Sequence, residues 1–376
     1  MSRKIKEFVK KEVILIVAWL LAIISMFVVH PSGKYLEYID WRTLGILWSL
    51  MIIMEGLKQN GFFDTVGNRL LNSTKNIRQL VLVLVYLCFF FSMIITNDVA
   101  LITFVPFAVL ILRKCNCEEM MIPVIVLQTI AANLGSMLTP IGNPQNLYLY
   151  ELSGVSLGKF VEWMLPYTVI AGFAIIITVM IITKRTNQSK IDIHTSTRQS
   201  ENNHDKINWI IYFVLFIMAI LVVSRMIPFY VLVVVVFVVM LLVDRKLLFE
   251  EDYSLLFTFV GFFIFTGNVE NINQIHSLMQ QMVDGSELLF GIALSQIISN
   301  VPAALLLSNF TTNIKALVIG VNFGGLGTLI ASMASLISYK VFVNECDGKK
   351  GKYLAWFTAM NIIYLLILLV AYTLLN

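Results

Sequence analysis

The chain has 376 residues, of which 58% are hydrophobic and only 13% charged, and its mean hydropathy is +0.83. A soluble domain carries about 25% charged residues, so the composition excludes an ordinary soluble protein. The formal net charge of +4 is spread without the basic, aromatic-interleaved stripe of a nucleic-acid binder, and the apolar runs lack the ten-residue alternation of a membrane β-barrel.

Apolar runs approaching the length of a membrane span recur along the whole chain and predict an all-α polytopic membrane protein embedded in the lipid bilayer. The N-terminus, Met1 to Lys11, is basic, and the first span covers 13–30. A cleaved signal peptide would have a shorter apolar region and a small-residue cleavage site. His30-Pro31-Ser32-Gly33 is not such a site, so the first span is expected to stay. The following spans are expected at 43–57, 80–95, 99–112, 120–152, 163–183, 208–224, 228–243, 254–268, 287–313, 315–341 and 353–374.

Three features in this series are irregular. The pair 80–95 and 99–112 reads as two short helices around Thr96-Asn97-Asp98. The segment 287–313 is too short for two full crossings and is interrupted at Ser299-Asn300-Val301-Pro302. The segments 120–152 and 315–341 are long and contain Gly- and Pro-bearing breaks. Lipid cannot satisfy a free backbone N–H or C=O, so such breaks at membrane depth survive only where they line a cavity.

Orientation follows from Lys and Arg. With a cytoplasmic N-terminus, and with 80–112 and 287–313 read as re-entrant hairpins, 22 of the 27 Lys and Arg fall on the cytoplasmic side and 5 on the other. A full crossing by either hairpin would turn the basic loop 184–207 outward. Residues 1–183 then form a first repeat with a cytoplasm-facing hairpin at 80–112. The polar stretch 184–207 is a cytoplasmic linker, and 208–376 form a second, inverted repeat with an outward-facing hairpin at 287–313.

The two breaks align residue on residue at Asn133/Asn322, Gly135/Gly324, Thr139/Thr328, Ile141/Ile330 and Leu147/Leu336. Paired interruptions in corresponding halves are the best sequence pointer to a transporter's binding site. Helix N-termini favour anions, carbonyls and hydroxyls suit Na⁺, and an Asn amide both donates and accepts. Asn97 and Asn300, with the hydroxyls of Thr96, Ser299, Thr139, Thr328, Ser332 and Ser335, can serve an anion and a coupling cation together. Small residues at these places also pack helices closely in lipid. Asp98, a carboxylate at membrane depth, is a proton acceptor, a cation ligand, or the N-cap of a helix beginning at Val99. Glu55, near a helix end, is expected to reach the interface.

At these residues the chain resembles the ion transporter superfamily, which includes divalent-anion/sodium symporters, citrate permeases, arsenite permeases and a sodium/proton antiporter branch. The symporter branch carries a Ser-Asn-Thr motif at each hairpin tip; the matching positions here read Thr96-Asn97-Asp98 and Ser299-Asn300-Val301. The resemblance implies that Thr96, Asn97, Ser299 and Asn300 line cation and substrate sites, completed by the breaks around Asn133–Asn146 and Asn322–Ser335. On that resemblance Asn97, Asp98, Thr139, Pro140, Asn143, Asn300, Val301, Thr328 and Ser332 are expected at the substrate site, and Thr96, Asn97, Asn133, Gly135, Ser299, Asn300, Asn322 and Gly324 at a Na⁺ site. It also implies a homodimer with an elevator-like moving domain carrying both hairpins. Both motif threonines are replaced, by Asp98 and Val301, and the Asn-Asp pair is closer to the arsenite-permease side.

The expected function is secondary active transport of a small anion, a carboxylate or oxyanion, across the plasma membrane, coupled to Na⁺ or H⁺. The alternative is arsenite efflux or Na⁺/H⁺ exchange using Asp98. No enzyme is expected: His30, His194, His204 and His276 fall in loops or at span ends, and no nucleophile–base pair or His-Glu-x-x-His run is present. Of the four cysteines, Cys115, Cys117 and Cys346 lie in loops placed in the cytoplasm, where thiols stay reduced.

Overall fold

A computed structural model describes residues 12–71, 74–184, 203–346 and 349–375. Among these the chain is helical, without a β-strand. The basic N-terminal segment and most of the linker, including His194, lie outside the described residues.

The helices are α1 (Val13–Met26), α2 (Tyr35–Tyr38), α3 (Trp41–Gln59), α4 (Phe62–Leu71), α5 (Ile77–Ser92), α6 (Asn97–Lys114), α7 (Met121–Ser136), α8 (Pro144–Ser153) and α9 (Leu157–Ile182). They continue with α10 (Asn203–Val223), α11 (Phe229–Val243), α12 (Leu247–Glu250), α13 (Ser254–Glu270) and α14 (Asn273–Val283). The series ends with α15 (Glu287–Ile298), α16 (Asn300–Leu307), α17 (Ile314–Gly324), α18 (Met333–Glu345) and α19 (Lys350–Leu375). Several starts are fixed by side-chain caps. Asp40 accepts from the Thr43 N–H, Asn76 from Gln79, Ser156 from Lys159 and Asn313 from Ala316.

Both long segments with internal breaks are divided as expected, at 137–143 and at 325–332. Other expectations need correction. The helix after the first tip begins at Asn97 and not at Val99. Thr96 is its N-cap, its Oγ1 accepting from the Val99 N–H at 3.4 Å, so Asp98 sits inside the first turn and does not cap it. The linker ends early, because 203–207 already belong to α10. The sequence reading also missed the short amphipathic helices α4 and α14, which precede the two tip-bearing segments. His276, expected in a loop or at a span end, lies on α14 with its ring against Phe310. Glu55 pairs with Lys58 at 2.8 Å.

Helices α9 and α19, with 26 residues each, are long and apolar enough to cross a bilayer. Most of their surface faces outward, with Phe173, Ile177, Leu366 and Val370 exposed. Helix α7 is the opposite case. It is buried along nearly its whole length and carries Gln128, Thr129, Asn133 and Ser136. A helix with that polar content at membrane depth has to be enclosed by protein. It is: α5, α6, α9, α18 and α19 all pack on it.

The order of elements recurs, and so does the packing. Helix α5 packs on α7 and α15 on α17; α6 packs on α7 and α16 on α17. Contacts also cross between halves, with α6 against α18, α16 against α8, α1 against α13 and α11 against α3. The breaks after α7 and α17 and the tips before α6 and α16 thereby meet at the centre.

Candidate functional site

The tips are built by matched hydrogen bonds. The Asn97 N–H donates to the Gly142 carbonyl at 3.1 Å, and the Asn300 N–H to the Ala331 carbonyl at 3.0 Å. Each acceptor residue is held by a threonine three positions earlier. The Gly142 N–H donates to Thr139 Oγ1 at 3.1 Å and the Ala331 N–H to Thr328 Oγ1 at 3.2 Å. Each threonine hydroxyl donates in turn to the opposing helix end, Thr139 to the Met93 carbonyl and Thr328 to the Gln296 carbonyl. Under the Asn133/Asn322 alignment these are equivalent positions.

The glycines match as well. A Cβ on Gly135 would lie 2.6 Å from Ser92 Oγ, and one on Gly324 would lie 2.6 Å from Ser295 Oγ. Gly135 and Gly324 thus let each broken helix approach the first helix of its tip. The second tip is the tighter one: Ser299 alone joins α15 to α16, with φ +78° and ψ +155°, backbone space that belongs to glycine. Such strain persists only where the surroundings hold it, commonly at functional sites.

The halves are tied together by amides. Asn133 Oδ1 accepts from Asn97 Nδ2 at 3.1 Å and from Ser332 Oγ at 3.0 Å, and Asn133 Nδ2 donates to the Gly325 carbonyl at 3.3 Å. Its counterpart Asn322 donates to Asn146 Oδ1 at 2.7 Å. Both asparagines are buried.

Between the tips and breaks lies a small cavity lined by Asn97, Asp98, Asn143, Pro144, Gln145, Leu255, Asn300, Val301, Ser332 and Met333. Its volume is about 10 Å³, room for roughly one water molecule. A carboxylic acid does not fit without the walls moving. Four helices begin at this cavity: α6 at Asn97, α8 at Pro144, α16 at Asn300 and α18 at Met333. Their first-turn N–H groups lack intrahelical acceptors and carry the positive ends of the helix dipoles. Among the described residues the Asp98 carboxylate has no ion pair, while its backbone N–H donates to Asn97 Oδ1 at 2.9 Å.

Of the expected substrate contacts, the cavity gathers Asn97, Asp98, Asn143, Asn300, Val301 and Ser332. Thr139 and Thr328 instead latch the breaks to the tips. Pro140 is buried in the first break outside the lining residues. Of the expected Na⁺ ligands, Asn97 and Asn300 line the cavity. Thr96 caps α6, Ser299 forms the second tip, and Asn133 and Asn322 form the amide ties. Gln145 was missed. It lines the cavity, is 1% exposed, and neither of its amide atoms has a hydrogen-bond partner. Its place directly after Pro144, in the first turn of the helix that follows the break, was the available signal.

A family model described as citrate transporter matches residues 5–316. An uncharacterized transporter of Methanocaldococcus jannaschii is 30% identical over 348 residues, 92% of each chain. The inner membrane protein YbiR of Escherichia coli is 32% identical over 330 residues, 85% of this chain and 84% of its own. The silicon efflux transporter LSI3 of Oryza sativa is 30% identical over 158 residues, 42% of this chain and 32% of its own. With apolar helices throughout and a family match across most of its length, the chain belongs to the citrate transporter family and is a multi-pass membrane transporter.

Proposed function

We propose that the protein is a secondary transporter of a small carboxylate or oxyanion, coupled to Na⁺ or H⁺, working in the plasma membrane with its N-terminus in the cytoplasm. The observation that carries this reading is the convergence of four helix N-termini on one cavity that also holds Asp98. The N-termini favour an anion. Asp98 already supplies a negative charge there, so a second anion requires a proton on Asp98 or a cation beside it. Coupling follows from that charge balance.

The helix lengths support re-entrant hairpins. At 1.5 Å per residue, the 12 residues of α15 extend roughly 18 Å, well short of a hydrocarbon core of about 30 Å. In this reading α5–α9 and α15–α19 move as one body against α1, α3, α10, α11 and α13, as an elevator within a homodimer, and alternate access to the cavity. The Lys and Arg asymmetry and the crosswise packing favour that inverted arrangement.

The experiment is uptake into proteoliposomes of citrate, succinate, sulfate, phosphate and arsenite under an imposed Na⁺ or pH gradient. One acid should accumulate with the wild type. Asn97→Ala and Asn300→Ala should abolish that uptake while remaining folded, and full transport by both would refute the site. A second reading, efflux of a neutral hydroxylated acid in exchange for a proton on Asp98, is favoured by one observation. The site carries its own carboxyl group, which can hold the exchanged proton while an uncharged cargo moves, and the rice relative is named for silicon efflux. Asp98→Asn tests the carrier role, since loss of pH dependence with binding retained assigns Asp98 the proton, and the direction of cargo movement against an imposed pH gradient separates uptake from efflux.

A further inference from the structure

We infer that Gln145 reads the substrate, its amide receiving a single protonated acid group beside Asp98. The site then takes acids with one such group toward the first half and an apolar remainder toward the second. This rests on the transport reading above and narrows it: the proton that balances the charge arrives on the acid oxygen, in place of a proton on Asp98 or a separate cation.

Gln145 is the second residue of α8 and is 1% exposed, yet Nε2 and Oε1 both lack a partner. Buried polar groups in folded proteins are nearly always hydrogen-bonded, and leaving one unsatisfied is unfavourable. Here two such atoms belong to one side chain that lines the cavity with Asp98. The Oδ1 of Asn143 is also buried without a partner, while its Nδ2 is engaged by Ser136 Oγ at 2.6 Å. Unsatisfied capacity is thus concentrated on one wall.

The opposite wall lacks it. The register that pairs Asn133 with Asn322 sets Ala334 against Gln145, and the tips set Val301 against Asp98. Asp98 and Gln145 therefore have apolar counterparts, whereas Asn97 and Asn143 are matched by Asn300 and Ser332; Val301, Met333 and Leu255 make the apolar part of the second wall. A symmetric diacid would leave one end against Val301.

The inventory also sets the protonation state. An amide presents a donor and an acceptor side by side. A protonated acid group complements both: its C=O, or other oxo oxygen, accepts from Nε2 and its O–H donates to Oε1. An ionised group leaves Oε1 unmatched and adds a second negative charge near Asp98. No covalent bond changes; the proton stays on the acid oxygen while the group is bound.

The test uses purified full-length protein and the near-isosteric Gln145→Met, with Gln145→Leu as a second variant. Without ligand, removing two unpaired polar atoms should raise the unfolding temperature of both variants. A lower unfolding temperature in both would overturn the assignment, because it would mean that the amide is satisfied in the fold. With acetate, lactate, succinate, citrate and phosphate at about pH 5 and about pH 8, wild-type stabilisation should be strongest for a monobasic acid at the lower pH. Phosphate separates an oxyacid from a carboxylic acid. In Gln145→Met the effective affinity should fall roughly tenfold. Retained wild-type affinity, or a preference for succinate or citrate at the higher pH, would overturn the inference. If no acid stabilises the wild type, the transport reading fails for these acids, and the ligand-free comparison still decides whether Gln145 is an unsatisfied amide.

Discussion

Gly135→Ala is the most direct test of how the tip is held. A Cβ there would lie 2.1 Å from the Phe89 carbonyl oxygen and 2.6 Å from Ser92 Oγ. An ordinary carbon–oxygen contact is about 3.3 Å, so α5 and α7 have to separate by roughly 1 Å. The obstacle is backbone and cannot rotate away. Overpacking of this kind costs about 1–3 kcal/mol, offset by at most about 1 kcal/mol of helix propensity. With that offset taken in full the net loss is up to about 2 kcal/mol, which corresponds to a few degrees in the unfolding midpoint. Gly324→Ala, whose Cβ meets Ser295 Oγ at 2.6 Å and the Gly291 carbonyl oxygen at 2.8 Å, should show a smaller loss. Gly158→Ala has nothing within 4 Å and is the control, neutral or slightly stabilising. Fluorescence-detected thermal unfolding in detergent gives all three midpoints, and proteoliposome uptake shows whether the tip still works. A midpoint for Gly135→Ala at or above that of Gly158→Ala would refute the packing argument.

Thr139→Val and Thr328→Val each remove a hydroxyl that both donates to a helix end and accepts a backbone N–H, and should lose about 1–3 kcal/mol of stability. The matching serine variants should be close to wild type in the same unfolding assay. Arg42→Ala should destabilise by about 1–3 kcal/mol, because the Glu151 side chain is only 6% exposed and loses the Arg42 Nε contact at 2.8 Å while keeping Arg225 at 3.7 Å. Adding Glu151→Gln should recover most of that loss. Glu251, in the loop before α13, has its carboxyl pushed up to about 7 by burial and by the nearby Glu55, with Lys58 opposing. The folded state then holds its proton more tightly than the unfolded one, so stability falls as pH rises from about 4.5 to about 7. Glu251→Gln should flatten that part of the pH–midpoint curve.

The breaks and tips were legible because Gly, Pro, Asn and hydroxyl residues stand out against apolar sequence, and because the same spacing occurs twice. Thr139 and Thr328 were found by that alignment, but their latch role was not, since it depends on Met93 and Gln296 of the opposing helices. Asp98 as an N-cap failed for a local reason: Thr96, two residues earlier, is an equally good cap and takes the Val99 N–H. Helices α4 and α14 are short and amphipathic, so a search for long apolar runs passes over them. Gln145 was hidden because its significance is the absence of partners, which only three-dimensional neighbours reveal.

The amide ties also have a consequence for how the chain is made. Asn133 finds its partners Gly325 and Ser332 at 192 and 199 residues' separation. At about 5–20 residues per second, the ribosome needs roughly 10–40 s to deliver them. For that interval the first half is in the bilayer with Asn133 of its central helix still short of both second-half partners. Assembly of the cavity is therefore a late, long-range event, and the nascent first half is the stage most exposed to mispairing and to quality-control proteolysis.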